Sequence, residues 1–139
     1  MRVTRFFKIE ELVDPDILAV ITEEAAWRLI PTGIQSDLDG LRIAMEIPLV
    51  INGNGNTHCG VRAKNCTVGS PLSDHKLLRP GVCSFDVHCS DLPKLIALVK
   101  EHHEAYGIYR IENPAKTPGW LHITMSDGLQ LPPFEIFEP

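Results

Sequence analysis

The sequence predicts an α+β fold, with a small antiparallel sheet and helices packed on one side of it. The 139 residues leave room for one domain with one hydrophobic core, so residues 1–139 are expected to form a single unit. The composition, 44% hydrophobic and 22% charged, is that of an ordinary globular protein. Helical spacing of apolar residues dominates the first third of the chain, whereas alternating runs typical of strands lie mainly in its second half.

A first helix is predicted between residues 14 and 30. Asp14 suits the N-cap position, and Pro15 suits the first helical position, where a missing N–H group is tolerated. Apolar residues recur along one face of this stretch. Pro31 is expected to end the helix, because proline cannot continue one.

A shorter helix and a strand are expected next. Ser36 and Asp39 are spaced as a variant of the capping box, and apolar residues continue at helical spacing as far as Glu46. After Pro48, the apolar run 49–51 indicates a strand.

The segment 52–80 is rich in glycine, asparagine and serine and shows no regular pattern. A segment of this length without regular structure is uncommon in a compact domain and is usually functional. Residues 82–88 then alternate, so one face of this predicted strand is apolar. Asp86 lies on the other, open face.

A third helix and two strands complete the predicted domain. Ser90 or Asp91 caps the helix, and Gly107 ends it. Residues 108–112 and 120–124 alternate in the manner of strands. The last nine residues, which include three prolines, are expected to form an extended strap.

The charge of the chain argues against several partners. Thirteen Lys and Arg stand against 18 Asp and Glu, a net charge of −5, so the basic excess typical of nucleic-acid-binding proteins is missing. No apolar run approaches the roughly 18 residues that a membrane span needs, and the first residues lack the apolar core of a signal peptide. We therefore expect a monomer made in a cytoplasm, with no nucleic-acid partner and no membrane insertion.

The cysteines are expected to be free thiols, because a cytoplasm is reducing. Cys83 lies in an apolar alternating run, where a small buried side chain is the ordinary interpretation. A structural zinc site built from His58, Cys59, Cys66 and Cys89 is an alternative, but the sequence contains no CxxC pair to support it.

Three residues have the chemistry of a hydrolytic zinc site. His75, Asp86 and His122 offer two imidazoles and a carboxylate, which leave one tetrahedral position open for water. Six histidines occur in the chain, so such a combination alone is only suggestive.

The order of these residues and their neighbours is similar to a known pattern. It resembles that of the zinc D-alanyl-D-alanine carboxypeptidases and the phage-type murein endopeptidases, which share the hedgehog/D-Ala-D-Ala peptidase fold. The resemblance covers roughly residues 5–126. The matching residues, in chain order, are Arg62, Ser73, His75, Asp86, Trp120 and His122.

This resemblance implies a function and a cofactor. The family uses Zn²⁺, which His75, Asp86 and His122 would bind here, and it hydrolyses amide bonds of peptidoglycan stem peptides. The resemblance implies a D-Ala-D-Ala carboxypeptidase or an L-Ala-D-Glu endopeptidase, and the missing secretion signal resembles phage lysis proteins that act on the cell wall after release.

The resemblance also implies the groups that hold the substrate. Arg62 is expected to bind a substrate carboxylate, because a guanidinium suits bidentate capture. Ser73 and Trp120 are the other expected substrate-binding residues. A surface charge is the alternative interpretation of Arg62.

The sequence departs from the family pattern around the second ligand. Ten residues separate His75 from Asp86, more than the family usually has, and Ser84 replaces the alanine of the motif. His88, on the same strand face as Asp86, is the substitute ligand. The departure also keeps open the alternative to an enzyme, a catalytically inactive binding or structural module with the same fold.

Glu112 is the predicted general base. Antiparallel pairing of the strands at 108–112 and 120–124 would bring its carboxylate near His122. The alternative is a surface glutamate paired with Arg110 or Lys116.

Overall fold

A four-stranded mixed sheet forms the centre of the fold in the computed structural model, which describes residues 1–69, 73–128 and 131–138. The strands are β1 Val82–Val87, β2 Ile108–Glu112, β3 Leu121–Ser126 and β4 Glu135–Phe137. Their order is β1-β3-β2-β4. The β1–β3 and β2–β3 pairs are antiparallel, whereas β4 runs parallel to β2.

Several helices accompany the sheet. The α-helices are α1 Pro15–Leu18, α2 Glu23–Trp27, α3 Thr32–Met45 and α4 Leu92–His102. The 3₁₀ helices are Ile9–Glu11, Asp74–Lys76, His103–Tyr106 and Pro114–Lys116. No helix in the described part of the chain is both long and apolar enough to cross a membrane.

The two faces of the sheet differ in polarity. On β1, the side chains of Cys83, Phe85 and Val87 are buried in one apolar cluster together with those of α3 and α4. Because side chains alternate along a strand, the opposite face of β1 carries Ser84 and Asp86. The polar residues of the sheet therefore lie on the face turned away from the core.

The α+β fold class is confirmed, but the prediction of a purely antiparallel sheet is wrong. β4 comes from the tail that was predicted as a strap, and it pairs in parallel with β2 through the register of Ile111 with Ile136. The tail is extended, as predicted, and its short strand makes the sheet mixed.

The predicted helix over residues 14–30 is wrong as one element, because the chain folds there into α1 and α2. Ile21, a member of the predicted apolar stripe that lies between them, is 36% exposed, so the stripe is not buried throughout. Val20, Ile21 and Thr22 are β-branched, which weakens a helix locally. The Thr22 hydroxyl then accepts a hydrogen bond from the Ala25 N–H (3.1 Å) and caps α2.

The second predicted helix starts earlier than expected. Pro31 occupies the N-cap of α3 rather than ending a helix, and Ser36 lies inside α3. Proline suits a helix start because the first N–H groups have no intrahelical partner. The predicted C-terminal end is confirmed: Glu46, with φ of 61°, is the C-cap of α3.

The predicted strand at 49–51 is wrong, because in the described structure this run makes only an isolated bridge between Val50 and His88. The long segment 52–80 does lack extended regular structure where it is described. It contains one short 3₁₀ helix, Asp74–Lys76, and a parallel bridge between Val13 and Val61.

The remaining predicted elements are confirmed with small shifts. Asp91 caps α4 by accepting from the Lys94 N–H (3.2 Å), and Gly107, with φ of 63°, follows the last 3₁₀ turn. β1 and β2 lie where alternation predicts them, and β3 begins one residue later than expected, at Leu121. None of the four cysteines is paired in a disulfide in the described structure.

Candidate metal centre

Asp86 and His122 are brought together by the pairing of β1 with β3. In this antiparallel register Asp86 is the direct partner of His122. Both side chains lie on the polar face of the sheet, since their neighbours Phe85 and Ile123 are buried in the core. Two of the three predicted ligands are therefore fixed by sheet geometry alone.

His75 reaches the same point from the long segment. It lies in the 3₁₀ helix Asp74–Lys76, and the Ser73 hydroxyl accepts a hydrogen bond from the His75 N–H (3.3 Å) at the start of that helix. The His75 carbonyl accepts from the Arg62 N–H at 2.8 Å. The Asp86 N–H in turn donates to the Cys59 carbonyl at 2.7 Å. Residues 59–62 thus tie the short helix to the edge of β1.

The three candidate ligand atoms are spaced as metal ligands are. Asp86 Oδ1 lies 2.9 Å from His122 Nδ1 and 3.3 Å from His75 Nε2. The two imidazole nitrogens are 3.2 Å apart. Tetrahedral zinc with bonds of 2.0–2.1 Å separates its nitrogen and oxygen ligands by about 3.3 Å. The side chains present therefore fit a zinc ion.

The far side of each imidazole is held in place. His75 Nδ1 donates to the Gly60 carbonyl at 2.9 Å, so Nε2 faces Asp86. His122 Nε2 lies 3.2 Å from Thr124 Oγ1, which is 2.8 Å from Ser84 Oγ. Such outer hydrogen bonds fix the orientation and tautomer of metal-binding histidines.

The protonation states also suit a metal. Burial opposes ionisation of Asp86, but its contacts with His122 and His75 outweigh this effect and hold the pKa of the carboxyl well below its usual range. Burial lowers the pKa of His75 and outweighs the opposing influence of the Asp86 carboxylate. A charged carboxylate and a neutral imidazole are the forms that bind metal ions.

Arg62 lies beside the candidate ligands and is 8% exposed. Its Nε donates to the His58 carbonyl (2.5 Å), and Nη1 donates to the Val68 carbonyl (3.3 Å). Nη2 reaches Asp86 Oδ2 at 3.4 Å. The interpretation of Arg62 as an ordinary surface charge is wrong, because the guanidinium is buried and contacts a predicted ligand.

Glu112 lines the same cleft from β2. Continuing the β2–β3 register one step beyond the Ile111–Ile123 pair places Glu112 opposite His122. The pKa of the Glu112 carboxyl is raised, mainly by burial. His122 opposes this shift in part, and the negative charge of Asp86 adds a smaller increase. Within the described residues Glu112 forms no ion pair, and Arg110 is bonded elsewhere.

All of the predicted site residues meet in one cleft of about 510 Å³. Seven of its lining residues were predicted from the sequence: Arg62, Ser73, His75, Asp86, Glu112, Trp120 and His122. Most of the rest come from the 3₁₀ helix, β2 and the tail: Asp74, Arg110, Phe137 and Glu138.

Sequence reasoning missed the wall that β2 and the tail form. The Arg110 guanidinium carbon lies 3.8 Å above the Phe137 ring, and Arg110 Nε donates to Glu135 Oε1 at 2.6 Å. Asp74 accepts hydrogen bonds from Arg79 (2.6 Å) and from Arg110 (3.3 Å). The only local sign of this wall in the sequence is that Arg110 and Glu112 share a strand face. The parallel pairing of β4 with β2 joins segments far apart in the chain, so no spacing of residues predicts it.

His88, the substitute ligand, does not join the three ligand atoms that converge in the described structure. Its Nδ1 lies 3.3 Å from the Val50 carbonyl oxygen, and its ring centroid is 6.2 Å from that of Trp120. Trp120 lines the cleft, and its role in substrate binding stays a prediction.

A second group of potential ligands lies elsewhere. The alternative site of His58, Cys59, Cys66 and Cys89 is not the one assembled. Instead, His58 and Cys66 converge with Asp14 in the described residues, and the ligand atoms lie within 4.8 Å of one another.

No protein-family model, no curated protein and no solved structure matches this chain.

Proposed function

We propose that this chain is a zinc-dependent peptidase that hydrolyses amide bonds of peptidoglycan stem peptides. The observation that supports it best is the convergence of His75 Nε2, His122 Nδ1 and Asp86 Oδ1 at distances of 2.9–3.3 Å in a cleft. These are the residues that the resemblance to zinc D-Ala-D-Ala carboxypeptidases and murein endopeptidases selects. The proposal includes the fold of that family.

The proposed mechanism gives each residue of the cleft one task. His75, Asp86 and His122 would hold the zinc ion, which would supply Lewis acidity to activate water and polarise the scissile carbonyl. Glu112 accepts the proton of the attacking water. Its raised pKa lies closer to neutral pH than that of an ordinary glutamate, which favours its action as a general base. Glu112, now a carboxylic acid, then donates this proton to the leaving amine and becomes a carboxylate again.

The substrate side of the cleft is cationic and aromatic. Arg62 places its Nη2 near Asp86 Oδ2 and lines the cleft, so a substrate carboxylate bound there would lie next to the reacting bond. Trp120 and Phe137 provide apolar walls for the alkyl side chains of alanine residues. Both the D-Ala-D-Ala carboxypeptidase and the L-Ala-D-Glu endopeptidase reactions fit these groups.

Turnover of defined substrates tests the proposal. Zinc-loaded protein is incubated with purified murein and with synthetic stem peptides, and products are identified by mass spectrometry. Loss of a terminal D-Ala indicates the carboxypeptidase, and cleavage after L-Ala indicates the endopeptidase. His122→Ala should abolish product, whereas His88→Ala, a matched histidine outside the converging ligands, should not. Zinc binding without turnover by the wild-type protein would overturn the proposal in favour of an inactive module.

A further inference from the structure

Three side chains from two separate parts of the chain meet near Arg62, which donates to the His58 carbonyl. Asp14 precedes α1, and His58 and Cys66 belong to the long segment. One ligand atom from each lies within 4.8 Å of the others. None of the three belongs to the cleft described above.

The Asp14 carboxylate is incompletely satisfied. Asp14 occupies the N-cap of α1, as predicted, but its side chain makes no capping hydrogen bond to that helix. Oδ2 lies 2.9 Å from His58 Nδ1, while Oδ1 is buried with no hydrogen-bond partner among the described residues. The residue is fully buried. A buried carboxylate oxygen without a partner is rare, and a bound cation or water would satisfy it.

The donor set selects the kind of ligand. A thiolate, an imidazole and a carboxylate together suit a borderline-soft divalent cation such as Zn²⁺, whereas Mg²⁺ and Ca²⁺ prefer oxygen ligands alone. Three protein ligands leave a fourth position for water. Binding would release the proton of the Cys66 thiol to solvent.

The backbone around these side chains is already tied down. The Asp14 N–H donates to the Val61 carbonyl at 2.8 Å, next to the bridge between Val13 and Val61. The Cys66 carbonyl accepts from Lys76 Nζ at 2.6 Å. The ligand-bearing segments are therefore held near one another by bonds that do not involve a metal.

We infer that Asp14, His58 and Cys66 form a second metal site, specific for zinc-like cations, that fastens the long segment to the start of α1. The site shares no ligand with the His75, Asp86 and His122 centre. The two are connected through Arg62, which donates to the His58 carbonyl and reaches Asp86. This inference is independent of the proposed peptidase activity.

Cobalt substitution tests the site directly. Cobalt bound to a thiolate gives an intense sulfur-to-metal charge-transfer absorption in the near ultraviolet, and the His75, Asp86 and His122 centre contains no sulfur. Titration of the metal-free protein with Co²⁺ should therefore produce this band as one equivalent fills the second site. Cys66→Ser should abolish the band, and Cys89→Ser, a matched half-buried cysteine outside the cluster, should retain it.

Two further measurements separate the outcomes. His122→Ala should keep the charge-transfer band, because it removes a ligand of the other centre only. In the wild-type protein, which needs no substitution to fold, Zn²⁺ should slow alkylation of Cys66 at least tenfold, as measured by peptide mass spectrometry. A wild-type protein without the band, a band that persists in Cys66→Ser, or Cys66 alkylation unaffected by Zn²⁺ would each overturn the site.

Discussion

Asp86 on β1 and His122 on β3 are direct cross-strand partners, with Oδ1 of the first 2.9 Å from Nδ1 of the second. A one-residue slip of an antiparallel register would turn one of the two side chains into the core. The apolar residues on either side of each ligand therefore also set the site, since burying Phe85 and Ile123 forces Asp86 and His122 onto the open face.

Removal of His122 tests the metal centre. We expect His122→Ala to lose the equivalent of zinc bound there, because two ligands hold the ion far less well than three. Zinc at a hundredfold excess over its dissociation constant stabilises the native state by about 2.7 kcal/mol. His122→Ala should therefore lose the increase in thermal stability that zinc bound at this centre gives. Elemental analysis measures the bound zinc, and calorimetry measures the thermal stability. The control His88→Ala should keep both the zinc and the stability that depends on it. Loss of zinc in His88→Ala instead would show the ligand set to be wrong.

Gly60→Ala tests the hydrogen bond that orients His75. A Cβ at Gly60 would lie 2.0 Å from the Leu12 carbonyl oxygen, so the backbone must shift and move the carbonyl that His75 Nδ1 binds. We expect a loss of about 1–3 kcal/mol of unfolding free energy from the clash and a 10- to 100-fold weaker zinc affinity from the disturbed outer hydrogen bond.

Gly119→Ala is the matched control for Gly60, because a Cβ at Gly119 meets nothing within 4 Å. Denaturant unfolding and competitive zinc titration of both variants give the comparison. Equal zinc affinities in the two variants would show that the Gly60 carbonyl does not orient His75.

Arg62→Lys separates charge from geometry. Lysine keeps the charge but cannot reproduce the contacts of Arg62 with two carbonyls and Asp86. We expect kcat/KM to fall at least about tenfold with zinc content unchanged. Arg28→Lys, at a largely exposed arginine, is the control. Unchanged kcat/KM in Arg62→Lys would remove Arg62 from the proposed substrate site.

The thiols should differ in reactivity. Burial raises the pKa of Cys83 to about 12, with Asp127 contributing, and the side chain is fully buried. Because the thiolate is the reactive form, Cys83 should resist iodoacetamide at pH 8 in the native protein and react after unfolding. Half-buried Cys89 should react sooner. Peptide mass spectrometry follows each thiol, and rapid native labelling of Cys83 would contradict its burial in the core.

Local patterns predict some parts of this protein well and others poorly. The alternation in β1 and the cap and stripe of α4 are local signals, and both elements form where expected. The single helix over 14–30 fails because burial of its apolar stripe depends on tertiary contacts that exposed Ile21 does not make. Spacing within a strand likewise cannot show that β4 pairs in parallel with β2.

The candidate site follows the same division. Asp86 and His122 lie on predicted strands, so their open faces could be predicted from the alternation. The partner of Asp14 could not, because the contact with His58 joins residues that are 44 positions apart. The sequence pattern predicts Asp14 as a helix cap, but in the folded chain its side chain contacts His58 and makes no capping hydrogen bond.

Glu112→Gln tests the proposed role of Glu112 as the general base. The amide keeps the shape of the side chain but cannot accept the proton, so kcat should fall about 10²–10⁴-fold with zinc content and folding unchanged. Because burial raises the pKa of Glu112 above its ordinary value of 4.5, wild-type activity should rise with pH through a pKa above that value. A general base acts only when it is ionised. The rise of activity with pH that is seen in the wild-type protein should therefore be missing from the residual activity of Glu112→Gln. Wild-type turnover in this variant would transfer the role to another carboxylate, and Asp74, which lines the cleft, is then a better candidate than Asp127, which does not.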